Sequence, residues 1–176
     1  MKDFNIELDK KNKFKKITGE IIPNCIDYIN NYLNNIDNGA KLIIGCDSQG
    51  YSNSTVFALT IIFYNEVLRN GAHVIYLRFK TPKMRDVSPR IIQESVYLYT
   101  LSEHITKNIE NIKMEIHLDV NPEEFSQSST GIHNNLSYYV YDQSVGFLKS
   151  TGQVIKTKPS AFIMASDKIC KKKFKI

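Results

Sequence analysis

The amino-acid sequence predicts an α/β fold whose sheet begins with antiparallel strands and ends with parallel ones. Two observations carry this. Three runs rich in apolar, β-branched and aromatic residues, 42–47, 55–64 and 72–80, are separated only by turn-like stretches, Gly50-Tyr51-Ser52-Asn53-Ser54 and Asn70-Gly71. After residue 80, helical and strand patterns alternate, and such an order requires parallel crossover connections. No repeat or linker interrupts the 176 residues, so a single domain over 1–176 is expected, with a polar N-terminal segment at 1–20 and a basic tail at 171–176.

Each element has its own local reason. Ile22, Ile26, Ile29, Leu33 and Ile36 recur at helical spacing, Pro23 suits a first turn, and Asn38-Gly39 ends the helix. Residues 42–47 read as a buried strand ending at Asp47, with Ser48 and Gln49 entering a turn. The two following runs return as strands around Asn70-Gly71. Ser88-Pro89 opens a long helix to about residue 109. Met114, Ile116 and Leu118 alternate in a fourth strand, which ends at Asp119 before Asn121-Pro122. Residues 123–130 read as a polar loop and 132–149 as a second long helix ending near Gly152. Residues 154–157 form a fifth strand, and Pro159 opens a last helix running into the basic tail.

Composition narrows the function classes. Hydrophobic residues make up 42% and charged residues 23%, ordinary values for a globular protein. No apolar run is long enough to span a bilayer, and the first residues lack the apolar core of a signal peptide, so no membrane association and a cytoplasmic location are expected. Cys25, Cys46 and Cys170 form no CxxC or zinc pattern and read as reduced thiols. The net charge of +5 comes with basic runs at 10–16 and 171–175, a balance that suits a polyanionic partner as well as plain solvated ends. Walker A and dinucleotide fingerprints are absent.

Four acids stand out because each is embedded in an apolar element. Asp47 and Asp119 end apolar strands; if these are parallel neighbours, the two carboxylates meet at one end of the sheet, where open α/β sheets place their sites. Glu94 shares a helix face with Ile91, Leu98, Leu101 and Ile105, and Asp167 is spaced likewise from Ile163, Cys170 and Phe174. Buried carboxylates brought together repel one another and gain protons unless a cation compensates them. Hard oxygen donors suit Mg²⁺ or Mn²⁺, and two such ions about 4 Å apart make a phosphodiester-cleaving site. Each acid also has a plain reading. Asp47 and Asp119 suit turns, Glu94 is placed to pair with Arg90, and Asp167 with Lys171.

The segments Ile44-Gly45-Cys46-Asp47-Ser48-Gln49, Arg90-Ile91-Ile92-Gln93-Glu94, Leu118-Asp119-Val120-Asn121-Pro122, Lys158-Pro159 and Ala165-Ser166-Asp167-Lys168 occur in an order that resembles the YkuK-type family of predicted ribonuclease-H-like nucleases. The resemblance covers roughly residues 20–170. Cys46 departs from the threonine usual in that family, and Ser166 from the usual alanine. The resemblance implies a ribonuclease-H-like fold with a five-stranded mixed sheet in the order 3-2-1-4-5. It implies that Asp47, Glu94, Asp119 and Asp167 are the catalytic, metal-holding acids of a Mg²⁺- or Mn²⁺-dependent nuclease acting on RNA, DNA or a hybrid. The alternative is a non-catalytic nucleic-acid-binding or adaptor module on the same fold.

Further candidates are weaker in pattern. Ser48 and Gln49, next to the first acid, and Lys158 and Lys168, around the last, are candidate substrate contacts. His117 shares a strand face with Asp119, either as support for a metal ligand or as a core histidine. Tyr138, Tyr139, Tyr141 and Phe147 read as core packing of the 132–149 helix in preference to base stacking. Cys46 with His117 makes a poor thiol nucleophile and base, because no oxyanion hole or orienting acid accompanies them.

Overall fold

A computed structural model describes residues 13–35, 40–65, 72–128, 131–158, 160 and 164–171, with the backbone alone at 126–128, 131–133 and 164. The expectations placed on Ile36, Asn38-Gly39, Asn70-Gly71, Pro159, Ile163, Phe174 and the outer parts of both basic runs lie outside the described residues.

The central meander is formed by β2 (Ala40–Gly50), β3 (Ser54–Asn65) and β4 (Ala72–Pro82), paired antiparallel from Leu42 opposite Phe63 and from Phe57 opposite Phe79. β5 (Met114–Leu118) joins the other side of β2 in parallel, and β8 (Val154–Lys156) joins β5 in parallel. A short strand β1 (Lys15–Lys16) pairs with β4 on the far edge. The sheet therefore has six strands, in the order β1-β4-β3-β2-β5-β8, where five in the order 3-2-1-4-5 were expected. The added strand lies in the polar N-terminal segment. A two-residue edge strand has no alternation to read, and Phe14, buried beside it, is the apolar anchor that holds it.

Helix α2 (Val87–Asn108) covers one face of the sheet. Its stripe Ile91, Leu98, Leu101 and Ile105 packs in a core with Leu42, Ile44 and Cys46 of β2 and Met114, Ile116 and Leu118 of β5. Helix α1 (Cys25–Asn34) is capped by Asn24, whose side chain accepts from the backbone N–H groups of Ile26 and Asp27. Pro23 thus precedes the cap instead of lying in the first turn. Helix α4 (Met164–Lys171) packs on the opposite face, where Ile169 and Cys170 meet Ala58.

The segment between β5 and β8 departs from expectation. Residues expected as loop and helix contain a two-stranded ribbon, β6 (Phe125–Ser128) with β7 (Gly131–Asn134). A 3₁₀ turn at Tyr138–Val140 then leads into α3 (Tyr141–Lys149), about half the expected helix. The ribbon's strands are mostly polar and pair with each other outside the main sheet, so the sequence carries no core-facing alternation to announce them.

Candidate active site

β2 and β5 run in register up to Cys46 opposite Leu118, so the next residues, Asp47 and Asp119, come level on adjacent parallel strands. Because Cys46 and Leu118 face the α2 core, alternation turns both acids to the other face, toward α4. β2 continues to Gly50, with Ser48 opposite Phe57 and Gln49 opposite Val56. The hairpin turn that Ser48-Gln49 also suited is therefore strand, and the turn falls at 51–53, because a long partner, β3, extends the pairing past Asp47.

α4 is fastened at this point. Gly45 has no side chain, and a Cβ there would lie 3.2 Å from both Ser166 Oγ and Thr60 Oγ1, which bond each other at 2.7 Å. The thiol of Cys170 donates to the Asp47 carbonyl at 2.9 Å. The Cys170 carbonyl, in the last turn of α4, accepts from Tyr51 Oη and Arg78 Nη2, each at 3.1 Å. These contacts bring Asp167 to the end of the sheet that carries Asp47.

Glu94 arrives from α2 and is only 3% exposed. Ser48 Oγ donates to Glu94 Oε1, and Arg90 Nη1 donates to the Ser48 carbonyl at 3.4 Å. The pairing of Glu94 with Arg90 considered from sequence thus runs partly through Ser48.

The four acids share one electrostatic field. Burial lifts the Asp47 carboxyl to about 6; the Ser48 N–H, 2.8 Å from Oδ1, opposes the rise, while the charges of Asp119 and Asp167 add to it. Burial, then the charge of Asp47, pushes Glu94 well above the usual carboxylate range, against the Ser48 hydroxyl. Two lysines offset the outer acids. Lys158 Nζ lies 2.6 Å from Asp119 Oδ1, and Lys171 Nζ lies 2.6 Å from Asp167 Oδ1. Asp119 Oδ1 is shielded from solvent and has no aligned hydrogen bond, so its contact with Lys158 is an ion pair by distance without hydrogen-bond direction. The pairing of Asp167 with Lys171 is the plain reading of that acid, and it is realised.

The donor set is all carboxylate oxygen, the chemistry Mg²⁺ and Mn²⁺ prefer, and Asp119 Oδ1 retains acceptor capacity. Among the described residues, however, no group of three or more His, Cys, Asp and Glu side chains is arranged to hold a metal ion. Asp119 and Asp167 are turned onto lysines and Glu94 onto Ser48.

Of the expected substrate contacts, Ser48 is engaged by Glu94 and Lys158 by Asp119, Gln49 Nε2 donates to the Gly50 carbonyl at 3.3 Å, and Lys168 is exposed on α4. His117 is fully buried, and its Nε2 lies 3.0 Å from Glu115 Oε2. Burial lowers its pKa against the pull of Glu115, as befits a core histidine. Cys46 is buried in the α2 core, and burial followed by the charge of Glu94 raises its thiol far above a nucleophile's range. Arg90, Cys170 and Lys171 were given no part in the site itself by the sequence. Their signals were the i, i+4 spacing of Arg90 with Glu94 and of Lys171 with Asp167, the place of Arg90 in the segment ending at Glu94, and the shared helical spacing of Cys170 with Asp167.

An open α/β sheet with carboxylates level at the carboxyl ends of neighbouring parallel strands has the architecture of a site-bearing α/β protein. The ribonuclease H-like family model matches residues 24–171, and the chain belongs to that family. The match spans all four acids. No curated protein and no solved structure matches the chain. Membership suggests nuclease-type chemistry and, in general, nucleic-acid substrates. Among the described residues no helix is long and apolar enough to cross a membrane.

Proposed function

We propose that this protein is a metal-dependent nuclease of the YkuK type that hydrolyses nucleic-acid phosphodiesters to a 5′-phosphate and a 3′-hydroxyl. One observation carries the reading. Asp47 and Glu94 are driven toward protonation by burial and by neighbouring carboxylate charge, at the end of a sheet where Asp119 and Asp167 stand close. Such a cluster is unfavourable by itself and is relieved by a divalent cation.

In this reading Asp47, Glu94, Asp119 and Asp167 would together hold two Mg²⁺ or Mn²⁺ ions. When bound, the metals lower the pKa of water and offset charge on the leaving oxygen. Ser48 and Arg90 hold Glu94 in position from its buried side. Lys158 and Lys171 neutralise Asp119 and Asp167 in the metal-free protein; both ammonium groups are largely exposed, so leaving those pairs costs little. Once displaced, they would join Lys168 and Gln49 in facing substrate phosphates.

The lysine pairs also support a second reading, a nucleic-acid-binding module in which Lys158 and Lys171 neutralise the acids permanently. One experiment separates the two. Purified protein is assayed on single- and double-stranded RNA, DNA and hybrid with Mg²⁺ or Mn²⁺, beside Asp47→Asn. Cleavage lost in Asp47→Asn with binding kept is the expected result. Binding without cleavage of any substrate selects the non-catalytic module, and undiminished cleavage by Asp47→Asn places the activity elsewhere.

A further inference from the structure

Of the aromatic residues expected as core, Tyr141 packs against it and Phe147 meets the Tyr99 ring, but Tyr138 and Tyr139 lie on the surface, as does Phe125. Tyr139 is 59% exposed, Phe125 54% and Tyr138 39%, with Leu136 at 54% beside them. All four belong to the short ribbon-and-turn segment that follows Asp119. A large apolar group on a surface is unremarkable alone, but a cluster of them marks a contact site.

Three further observations say what covers it. The cluster is tied to the acidic site: the Asn121 N–H, two residues beyond Asp119, donates to Ser137 Oγ at 3.0 Å, and Ser137 directly precedes Tyr138. Chain reach therefore keeps Tyr138 within about 15 Å of Asp119. The rings are also held ready. Tyr139 Oη donates to Glu124 Oε1 at 3.1 Å and accepts from Asn134 Nδ2 at 3.4 Å, while Tyr138 and Tyr139 meet edge to face with centroids 5.8 Å apart. A ring fixed at its hydroxyl and open over much of its surface loses little freedom when a flat group stacks on it. Finally, Asn135 bridges back to the other side of the segment, its N–H on the Glu124 carbonyl at 2.7 Å and its Nδ2 on the Glu123 carbonyl at 2.8 Å. The platform is thus braced on the same loop that leaves β5.

We infer that Tyr138 and Tyr139 form a base-stacking platform, and that the substrate is nucleic acid with unpaired bases beside the scissile bond. This rests on the nuclease reading above and narrows its substrate class. Bases in a duplex are already stacked on one another and offer their faces only at the ends; unpaired bases offer them along the strand. Stacking is sequence-tolerant, since every base has a π-face, so the platform supplies affinity without base choice.

The test measures binding of a fluorescent single-stranded oligonucleotide and of a blunt duplex of equal length, in EDTA so that nothing is cleaved. The wild-type protein should prefer the single strand. Tyr138→Ala and Tyr139→Ala should each weaken it by about tenfold or more, and Tyr138→Phe should bind as the wild type does. The salt dependence of binding should not change, because the rings carry no charge. A Mn²⁺-induced rise in melting temperature, measured on the same variants, should also be unaltered, which separates failure of the platform from failure of the metal site. Preference for the duplex, or wild-type binding by Tyr138→Ala/Tyr139→Ala, overturns the inference while leaving the nuclease reading intact. Loss of self-association in that double variant, seen by sedimentation with nucleic-acid affinity unchanged, assigns the surface to a second copy instead. Absence of any nucleic-acid binding by the wild type overturns the inference, and the cleavage assay with Mg²⁺ or Mn²⁺ then decides the nuclease reading separately.

Discussion

Asp47→Asn should stabilise the metal-free protein, and only above about pH 4. The carboxyl stands at about 6 in the folded chain against an ordinary value of 3.8. A raised folded pKa means the native state holds its proton more tightly than the unfolded chain. The resulting stability is fully present below the unfolded value, near pH 4, and is lost as pH rises through 6. A gap of about two units is worth about 3 kcal/mol at pH 7 and above, at 1.36 kcal/mol per unit. Asparagine keeps an Oδ1 acceptor for the Ser48 N–H, so the bond present at 2.8 Å survives. Relief of Glu94, which feels the charge of Asp47, acts in the same direction. At pH 7.5 in EDTA the variant should melt roughly 5–10 °C higher than the wild type, by the usual scaling for a chain of this size. At pH 4 the two should melt together. Thermal unfolding of both proteins from pH 4 to 8 isolates this residue together with the acids coupled to it, because titrations of distant groups cancel in the difference. A variant less stable than the wild type at pH 7.5, or a difference independent of pH, would refute the reasoning and show that Asp47 is already well compensated by its surroundings.

Other expectations follow from the same geometry. Addition of Mn²⁺ should raise the melting temperature of the wild type and not that of Asp47→Asn; an equal rise in both places the metal elsewhere. Gly45→Ala should lower stability by about 1–3 kcal/mol, since its Cβ meets Ser166 Oγ and Thr60 Oγ1 at 3.2 Å and those two are bonded to each other. Urea unfolding of this variant checks that, and unchanged stability would mean α4 moves off freely. Glu115 is pushed up by burial, but hydrogen bonds from Lys41, His117 and Lys156 outweigh this and hold it at about 2. Its stabilisation, about 3 kcal/mol, should be present above pH 4.5 and fade as pH falls toward 2. Glu115→Gln should therefore cost stability at pH 7 and little at pH 2, measured by denaturant titration at both. Leu98→Ala, at a fully buried site on the α2 face, should cost about 2–5 kcal/mol in the same assay.

Much of this protein is legible in its sequence. The strands 42–47, 55–64 and 72–80 are continuous apolar, β-branched and aromatic runs, and the stripe Ile91-Glu94-Leu98-Leu101-Ile105 is a local pattern of period 3.6. Local patterns are written directly into neighbouring residues. The burial of Glu94 follows from its place in that stripe, and the level meeting of Asp47 with Asp119 follows from apolar runs leading to each acid. What the tertiary structure decided was everything that depends on partners far apart in sequence. Lys15 and Lys16 become a strand only because β4 presents an unpaired edge, and Ser48 and Gln49 stay in β2 only because β3 is long enough to hold them. The mostly polar strands 125–128 and 131–134 pair with each other away from the core, so hydrophobicity leaves no trace of them. Tyr138 and Tyr139 have the composition of a core and the position of a surface, because the 3₁₀ turn before α3 buries Val140 and leaves their rings outside. The sequence determined which side chains are chemically capable; only the packing of α4 through Gly45, Ser166 and Cys170 decided that Asp167 stands with the other three acids. Contacts of that kind are a property of surfaces brought together, and no single stretch of chain encodes them.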